Sequence, residues 1–159
     1  MRTKSNSEGD DTMPTKKAPT KKKPTQIFSE GEKAAARETA KERARQLKGV
    51  DGETLIREKI AEMSKSDRAL AQRVDAIIRA SAPSLAPTTW YGMPAYTRDG
   101  KAVVFFQPAE KFKARYSTLG FNDSAKLDEG SLWPTAYALT DLTPAVEAKI
   151  AALVKKAAG

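Results

Sequence analysis

Neither cysteine nor histidine occurs in this chain. Their absence excludes cysteine–histidine and serine–histidine–aspartate catalytic centres, zinc sites built on thiolates or imidazoles, a haem-ligating histidine and a disulfide framework. Acid–base chemistry is therefore left to Asp, Glu, Lys and Tyr. A metal ion would need oxygen ligands, which favour hard cations such as Mg²⁺, Ca²⁺, Mn²⁺ or Fe³⁺.

Long apolar runs are missing as well. No stretch approaches the roughly 18 apolar residues that cross a bilayer, and the first residues lack the apolar segment of a secretory signal. We therefore expect a cytoplasmic protein without a membrane partner. The 159 residues, of which 40% are hydrophobic, are enough for one folded domain with its own core.

Lysine, proline, threonine and serine dominate the N-terminus of the chain. Such a segment has too few apolar side chains to offset the entropy that it would lose on ordering. We therefore predict a disordered basic tail over residues 1–27 and a folded domain over residues 28–159. Residues 1–26 hold seven basic and three acidic side chains, which supply half of the net charge of +8.

The tail lysines are candidates for weak, salt-dependent contacts with nucleic-acid phosphates. They are Lys16, Lys17, Lys21, Lys22 and Lys23. A solubilising tail, or a start codon upstream of Met13, explains the same residues without a partner, and we favour that alternative. No RNA-recognition, zinc-finger or homeodomain signature follows the tail to add base readout.

A first helix is predicted after the tail. Ser29 and Glu32 form a capping box at its start, and Gly49 closes it. Small apolar residues recur at helical spacing between them, so we expect this stripe to pack closely on the domain while burying little surface. The stripe consists of Ala36, Ala40, Ala44 and Leu47.

Three further helices are indicated by caps and periodicity. The second begins near Asp51, and the third runs from Ser66 until Pro83 stops it. Thr143 caps the last helix, and Pro144 suits its first position.

Turn chemistry and alternation predict the strands. The Arg-Asp-Gly sequence at residues 98–100 indicates a hairpin between a strand over residues 90–96 and the strand Lys101–Gln107. The second strand is apolar on both faces, so we expect it to be central and covered on both sides. Clean alternation predicts a half-exposed strand over residues 112–117, and a last strand follows at Ala136–Leu139. The predicted fold is α+β, with N-terminal helices and a C-terminal helix packed on a small antiparallel sheet.

A dense cluster of flat or polarizable side chains occupies residues 88–106 and suits a ligand pocket as well as a core. Cations on the following segment would suit an anionic or carboxylated small molecule, with Arg115 the strongest donor. The predicted ligand-binding residues are Trp90, Tyr91, Met93, Tyr96, Phe106, Lys111, Lys113, Arg115 and Trp133. Alternatively, the rings pack the sheet against the helices and the cations form a solvated strand face.

Several blocks of the sequence resemble the YdhG-like family of bacterial domains of unknown function over residues 28–157. The blocks are WYGMPAY with GKAVVFF, KFKARYSTLGF, LDEGSLWPTAYAL and LVKKA. The resemblance implies an α+β sandwich similar to frataxin. Some family members are labelled intracellular iron chaperones, so the resemblance also implies iron as a possible cargo or cofactor.

The acidic residues of the chain depart from a frataxin-like iron site. Iron binding of that kind relies on clustered carboxylates, whereas the glutamates here are interleaved with lysines and arginines. Phe112 follows Lys111, where the family commonly has a histidine. The candidate ligands for a hard cation are Asp123, Asp128 and Glu129, for which loop caps and solvated charge are the alternative.

Three functions of different classes remain open. The first is a small-ligand or metal-handling binding domain, the second a nucleic-acid-associated basic protein, and the third an enzyme using Asp, Lys or Tyr. The chain has no P-loop, no dinucleotide-binding glycine fingerprint and no HExxH motif, so the enzyme hypothesis lacks a recognisable set of residues.

Overall fold

The structure is a computed structural model, and it describes residues 30–159. The predicted tail over residues 1–27 and the capping residue Ser29 lie outside this part. The described residues form four helices and five strands. In chain order these are α1 (Glu30–Leu47), α2 (Gly52–Ala61), α3 (Lys65–Ser81), β1 (Ala86–Trp90), β2 (Met93–Arg98), β3 (Lys101–Gln107), β4 (Ser117–Phe121), β5 (Ala136–Leu139) and α4 (Pro144–Ala158).

The strands form one antiparallel sheet in the order β1-β2-β3-β4-β5. Each strand pairs with its neighbour in the sequence, and β3 lies in the middle, as its apolar sequence predicts. Helices α2, α3 and α4 contact the sheet or one another. The predicted α+β class, with helices packed on a small antiparallel sheet, is confirmed.

Two-residue turns close the first two hairpins. Asp99 and Gly100 have φ angles of 51° and 77°, and Tyr91 and Gly92 have φ angles of 51° and 75°. Positive φ at both turn residues matches the natural twist of paired strands. The turn at Asp99 agrees with the prediction. The single strand predicted over residues 90–96 is wrong, because the chain reverses at Tyr91 and forms β1 and β2 instead.

Side-chain caps fix the starts of three helices. The Asp51 carboxylate accepts a 2.7 Å hydrogen bond from the Thr54 backbone N–H at the start of α2. Ser64 caps α3, which begins one residue before the predicted Ser66, and Thr143 caps α4. Each cap satisfies a backbone donor that the first turn of a helix leaves without an internal partner.

The hydrophobic core lies on one face of the sheet. The register places Tyr96 beside Val104 and Val104 beside Phe121, so these side chains point to the same side. Full burial of a large apolar side chain contributes about 1.5–3 kcal/mol. The core includes Ile56, Ile60, Val74, Ile78, Tyr96, Val104, Phe106, Leu119, Phe121, Ile150 and Val154.

The other face of the sheet is only partly covered, although the sequence of β3 predicts cover on both sides. Phe105 points to this face and is half-buried, while Ala136 and Ala138 of β5 are exposed. The Phe105 ring lies across Gly120, where an added Cβ would overlap it. At Gly120, this face of the sheet is therefore covered by the Phe105 ring of the neighbouring strand rather than by a helix.

The segment between β3 and β4 is a loop, so the strand predicted over residues 112–117 is wrong. The buried Asp67 carboxylate of α3 accepts hydrogen bonds from the backbone N–H groups of Ala109 and Glu110 and from the Ser117 hydroxyl, at 3.3, 3.0 and 2.9 Å. Burial disfavours the charged form of Asp67, but these hydrogen bonds together hold its pKa below the ordinary value. The same hydrogen bonds hold the loop in a turned conformation. The next strand, β4, therefore begins only at Ser117.

Candidate functional site

Polar side chains attach helix α1 to the rest of the domain. The Glu42 carboxyl, which is 5% exposed, accepts a 2.9 Å hydrogen bond from the Gly92 backbone N–H in the β1–β2 turn. The Lys111 ammonium donates to the Glu38 carboxylate at 2.5 Å and to the Gly92 carbonyl at 3.2 Å. The middle of α1 is thus held against the first hairpin by a buried carboxyl and an ion pair.

Two more polar contacts lie near the C-terminal end of α1. Gln46 donates a 3.1 Å hydrogen bond to the Thr88 hydroxyl, and Arg45 forms an ion pair with Glu58 of α2. None of the core residues in the described chain comes from α1. The docking of this helix therefore depends on hydrogen bonds and charge.

The small apolar stripe predicted to pack α1 on the domain faces solvent instead. Its members are exposed, and Leu47 reaches 90% exposure. The reason is that the opposite side of the helix carries the groups that pair with the hairpin and with α2. The residues that were predicted to pack on the domain but are exposed are Ala36, Ala40, Ala44 and Leu47.

A cleft of about 420 Å³ separates α1 from the first two hairpins. One wall is formed by residues of α1 that lie three or four positions apart and so share one face of the helix. The opposite wall comes mainly from β1. The lining side chains from these two walls are Thr39, Glu42, Arg43, Gln46, Thr88, Thr89, Trp90 and Tyr91.

Glu42 is the acidic residue that lines this cleft. Burial raises its pKa above the ordinary value for glutamate. The Gly92 N–H, the nearby Thr89 hydroxyl and the charge of Lys59 favour the ionised form, and the charge of Glu38 opposes it, but burial is the largest effect. The carboxyl thus has fewer compensating contacts than its burial requires.

The Thr89 hydroxyl lies buried beside Glu42 and makes no hydrogen bond to any described residue. Its proximity favours ionised Glu42, yet the geometry of a hydrogen bond between the two side chains is not met. Because the Glu42 carboxyl is close by, the hydroxyl avoids part of the cost, about 1–3 kcal/mol, of a buried hydroxyl without any partner. The cleft wall therefore holds an incompletely paired carboxyl and an unpaired hydroxyl next to each other.

Two aromatic residues border the same cleft. The Trp90 and Tyr91 rings meet edge to face at a centroid distance of 4.7 Å, and Trp90 also contacts Phe105 at 5.4 Å. Trp90 is half-buried, and Tyr91 is 43% exposed at the turn. These rings offer flat apolar surface beside the polar groups of Glu42 and Thr89.

Other predicted aromatic site residues lie in or near the core. Tyr96 and Phe106 are 1% exposed, and Met93 is buried, so their side chains have almost no surface for a ligand. Tyr96 and Phe106 lie on the face of the sheet that packs against the helices, whereas Met93 pairs with Trp90 across the first hairpin and lies on the opposite face. Trp133 packs against the core and lines a separate cavity with Phe121, away from Trp90.

Tyr96 has a structural hydrogen-bond partner. Its hydroxyl donates to the Asp75 carboxylate at 2.6 Å, and Arg79 donates to the same carboxylate at 2.9 Å. Burial, followed by the charge of Asp75, raises the pKa of Tyr96 far above its ordinary value. This hydroxyl is therefore unsuited to the acid–base role that a tyrosine-based enzyme would need.

Two of the three predicted cationic residues lie together, away from the cleft. Lys111 and Lys113 line a small hollow of about 220 Å³ with Tyr91, and Lys111 pairs there with Glu38. Arg115 stacks on the Tyr116 ring at 5.4 Å. Of the nine predicted ligand-binding residues, only Trp90 and Tyr91 line the cleft itself.

The predicted acidic ligands of a hard cation are only partly together. Asp123 and Asp128 line a cavity of about 610 Å³ near Trp133, while Glu129 pairs with Lys156 at 3.7 Å. Across residues 30–159, no three acidic side chains are arranged to hold a metal ion. The five tail lysines predicted to contact nucleic acid, at positions 16, 17 and 21–23, lie outside the described residues.

The sequence predictions omit Glu42 and Thr89, the two polar groups that define the cleft. Glu42 is one of many charged residues of α1, and Thr89 precedes the aromatic cluster without a motif of its own. One feature of the sequence could have predicted the cleft. Glu38 and Glu42 are four residues apart and therefore share one face of the predicted helix. An acidic helix face that packs beside an aromatic turn indicates a polar cleft.

No family model, curated protein or solved structure matches the chain. Within residues 30–159, no helix has both the length and the apolar composition of a membrane span.

Proposed function

We propose that this protein binds a small molecule in the cleft between α1 and the first hairpin. The observation that carries the proposal is the pairing of a buried, incompletely compensated carboxyl at Glu42 with a buried, unpartnered hydroxyl at Thr89 in one cleft wall. Polar groups of this kind beside an aromatic rim are typical of small-molecule sites.

The energetics support a ligand in this position. An unpaired buried polar group costs about 1–3 kcal/mol in the free protein. A ligand that donates to Glu42 would recover part of the cost of burying this carboxyl. A flat group of the same ligand would contact Trp90, and aromatic contacts of this kind contribute about 0.5–1.5 kcal/mol beyond burial.

The other predicted functions have less support. The described residues contain no acidic group arranged for a metal ion, and the lysines proposed for nucleic acid lie outside them. Membership of the YdhG-like family, iron handling and a cytoplasmic location stay predictions.

A fragment screen on the full chain tests the proposal. The Trp133→Phe background leaves Trp90 as the sole tryptophan, because the chain has two, so its fluorescence reports on the cleft. Thr39→Phe fills the cleft from α1. Ala40→Phe adds the same ring on the exposed side of that helix and serves as the matched control.

We expect fragments that change the Trp90 fluorescence to lose binding by about tenfold or more in Thr39→Phe and to bind Ala40→Phe normally. Equal binding to both variants would place the fragments elsewhere and contradict the proposal. A chemically diverse screen without any saturable change at Trp90 would contradict it as well.

A further inference from the structure

From the charges around Glu42 we infer that the cleft recognises a ligand with a cationic N–H donor, such as an ammonium, guanidinium or amidinium group, joined to a flat apolar group. The cation would lie at the Glu42 carboxylate, and the flat group against Trp90. This inference rests on the proposed function and adds the chemical class of the ligand.

The basic residues nearest to Glu42 already have acidic partners. Lys111 pairs with Glu38 at 2.5 Å, and Lys59 pairs with Glu62 at 3.4 Å. Glu42 itself forms no ion pair with any residue between 30 and 159. Its negative charge is therefore the one that a bound cation could neutralise.

Two arginines of α1 complete the charged surroundings. Arg45 pairs with Glu58 and is not available to Glu42. Arg43 lines the cleft but is exposed, so solvent screens its charge more strongly than that of the buried carboxyl. Arg43 should weaken the binding of a cation without preventing it.

The hydrogen-bonding capacity of the wall fits a donor group. A carboxylate has two oxygens with about four acceptor positions, and the Gly92 N–H uses one of them. A planar amidinium or guanidinium presents parallel N–H groups that match such acceptors.

An anionic ligand is disfavoured at this wall. Two like charges about 4 Å apart repel by about 4 kcal/mol at the effective dielectric constant near a protein surface. Two of the cations that the sequence suggests for an anion already have other partners, since Lys111 is paired with Glu38 and Arg115 stacks on Tyr116.

Binding of a cation should be linked to the ionisation of Glu42. Because burial raises the pKa of this carboxyl, the free protein keeps a proton there to a higher pH than an ordinary glutamate would. A cation favours the ionised form, so binding should release that proton and strengthen as the pH rises through the raised pKa. Glu38, Lys59, Lys111 and Arg43 face the same region, but the first three are already paired.

Calorimetry on the full chain with three matched probes tests the ligand class. Benzamidinium is the cation, benzamide its neutral counterpart and benzoate its anionic counterpart, and all three carry the same ring. We expect benzamidinium to bind at least about tenfold more tightly than the other two. The heat of binding should depend on the buffer at pH values near the raised pKa of Glu42, because a proton is released there.

Glu42→Gln keeps the size of the side chain and the acceptor for Gly92 but removes the charge. We expect it to weaken benzamidinium binding by about tenfold or more and to abolish the buffer dependence. Arg43→Gln should strengthen binding by about two- to threefold. Circular dichroism would confirm that both variants are folded.

The outcomes separate this inference from the proposed function. Tighter binding of benzamide or benzoate, unchanged benzamidinium binding in Glu42→Gln, or no binding of benzamidinium up to about 10 mM overturns the cationic class and leaves the cleft proposal to the fragment screen. Benzamidinium binding that Thr39→Phe does not weaken contradicts the location of the site, and both proposals then fail.

Discussion

Helices α1 and α4 are similar in length and both rich in alanine, yet they are attached to the domain by different forces. The 15-residue α4 buries Ile150 and Val154 in the core. The 18-residue α1 buries the Glu42 carboxyl and points Leu47 into solvent. The comparison shows that a helix next to the sheet need not belong to the core.

The two modes of attachment differ in strength and in sensitivity to the solvent. Each fully buried aliphatic side chain of α4 contributes about 1.5–3 kcal/mol, and neither salt nor pH changes this directly. Partly exposed ion pairs such as that between Lys111 and Glu38 contribute about 0–1 kcal/mol and weaken with salt. We therefore expect α1 to separate from the sheet in openings that leave α4 in place.

The largest predicted effect is on α4. Ile150→Ala should lower the free energy of unfolding by about 2–5 kcal/mol, because it leaves a cavity in the core. Leu47→Ala, the matched change in α1, should alter it by no more than about 0.5 kcal/mol, since Leu47 is exposed. Urea unfolding followed by circular dichroism measures both values. Similar losses in the two variants would contradict the distinction between the helices.

The next effect concerns the loop that Asp67 holds. Asp67→Asn should lower the free energy of unfolding by about 1–3 kcal/mol, because an amide cannot accept all the hydrogen bonds that the carboxylate accepts from Ala109, Glu110 and Ser117. Since the folded pKa of Asp67 is lowered, its stabilisation is present above the unfolded pKa and is lost as the pH falls through the folded value.

Urea unfolding between pH 2 and 7 measures this contribution. The wild-type protein should lose more stability than Asp67→Asn on acidification. Parallel pH profiles for the two proteins would show that the carboxylate has no such role.

A smaller effect is predicted for Glu42, with the opposite dependence on pH. Its pKa is raised in the folded protein, so the folded state binds the proton more tightly and the docking of α1 should weaken as the pH rises through that pKa. Glu42→Gln should remove this dependence. Hydrogen exchange of the α1 amides, corrected for the intrinsic effect of pH, measures the docking. Docking that strengthens with pH in the wild-type protein would contradict the assignment.

The smallest effect is predicted for the ion pair between Lys111 and Glu38. Lys111→Gln should destabilise the docking of α1 by no more than about 0.5 kcal/mol at low salt and less at about 1 M salt. Hydrogen exchange at the two salt concentrations, with the α4 amides as an internal control, measures the difference. Equal salt sensitivity in α1 and α4 would remove the distinction between polar and apolar attachment.

Local signals in the sequence were sufficient for most of the fold. The caps at Asp51 and Thr143 and the turn at Asp99 depend on neighbouring residues, so they are readable from the chain. The loop before β4 cannot be predicted from its own sequence, because its conformation depends on Asp67, more than forty residues earlier. Alternation over residues 112–117 therefore predicted a strand that does not form.

The candidate site was less predictable than the fold. Trp90 and Tyr91 were recognised by residue type, but the type alone does not distinguish them from the buried Tyr96. Glu42 becomes notable only when α1 is placed against the turn at Gly92. The error about α1 had the same origin, because apolar periodicity suggested the wrong face of a helix that docks through polar groups.

The most direct test of the binding site is the ¹H–¹⁵N correlation spectrum of the full chain during titration with benzamidinium. The Gly92 amide donates its hydrogen bond to Glu42, so its resonance reports on that carboxyl. We predict that the Gly92 and Thr89 amides show the largest saturable shifts, and that Glu42→Gln suppresses them. Shifts centred instead on Asp128 and Trp133 would contradict the proposal that the cleft beside α1 is the binding site, and no saturable shift at Gly92 would contradict the cationic class of the ligand.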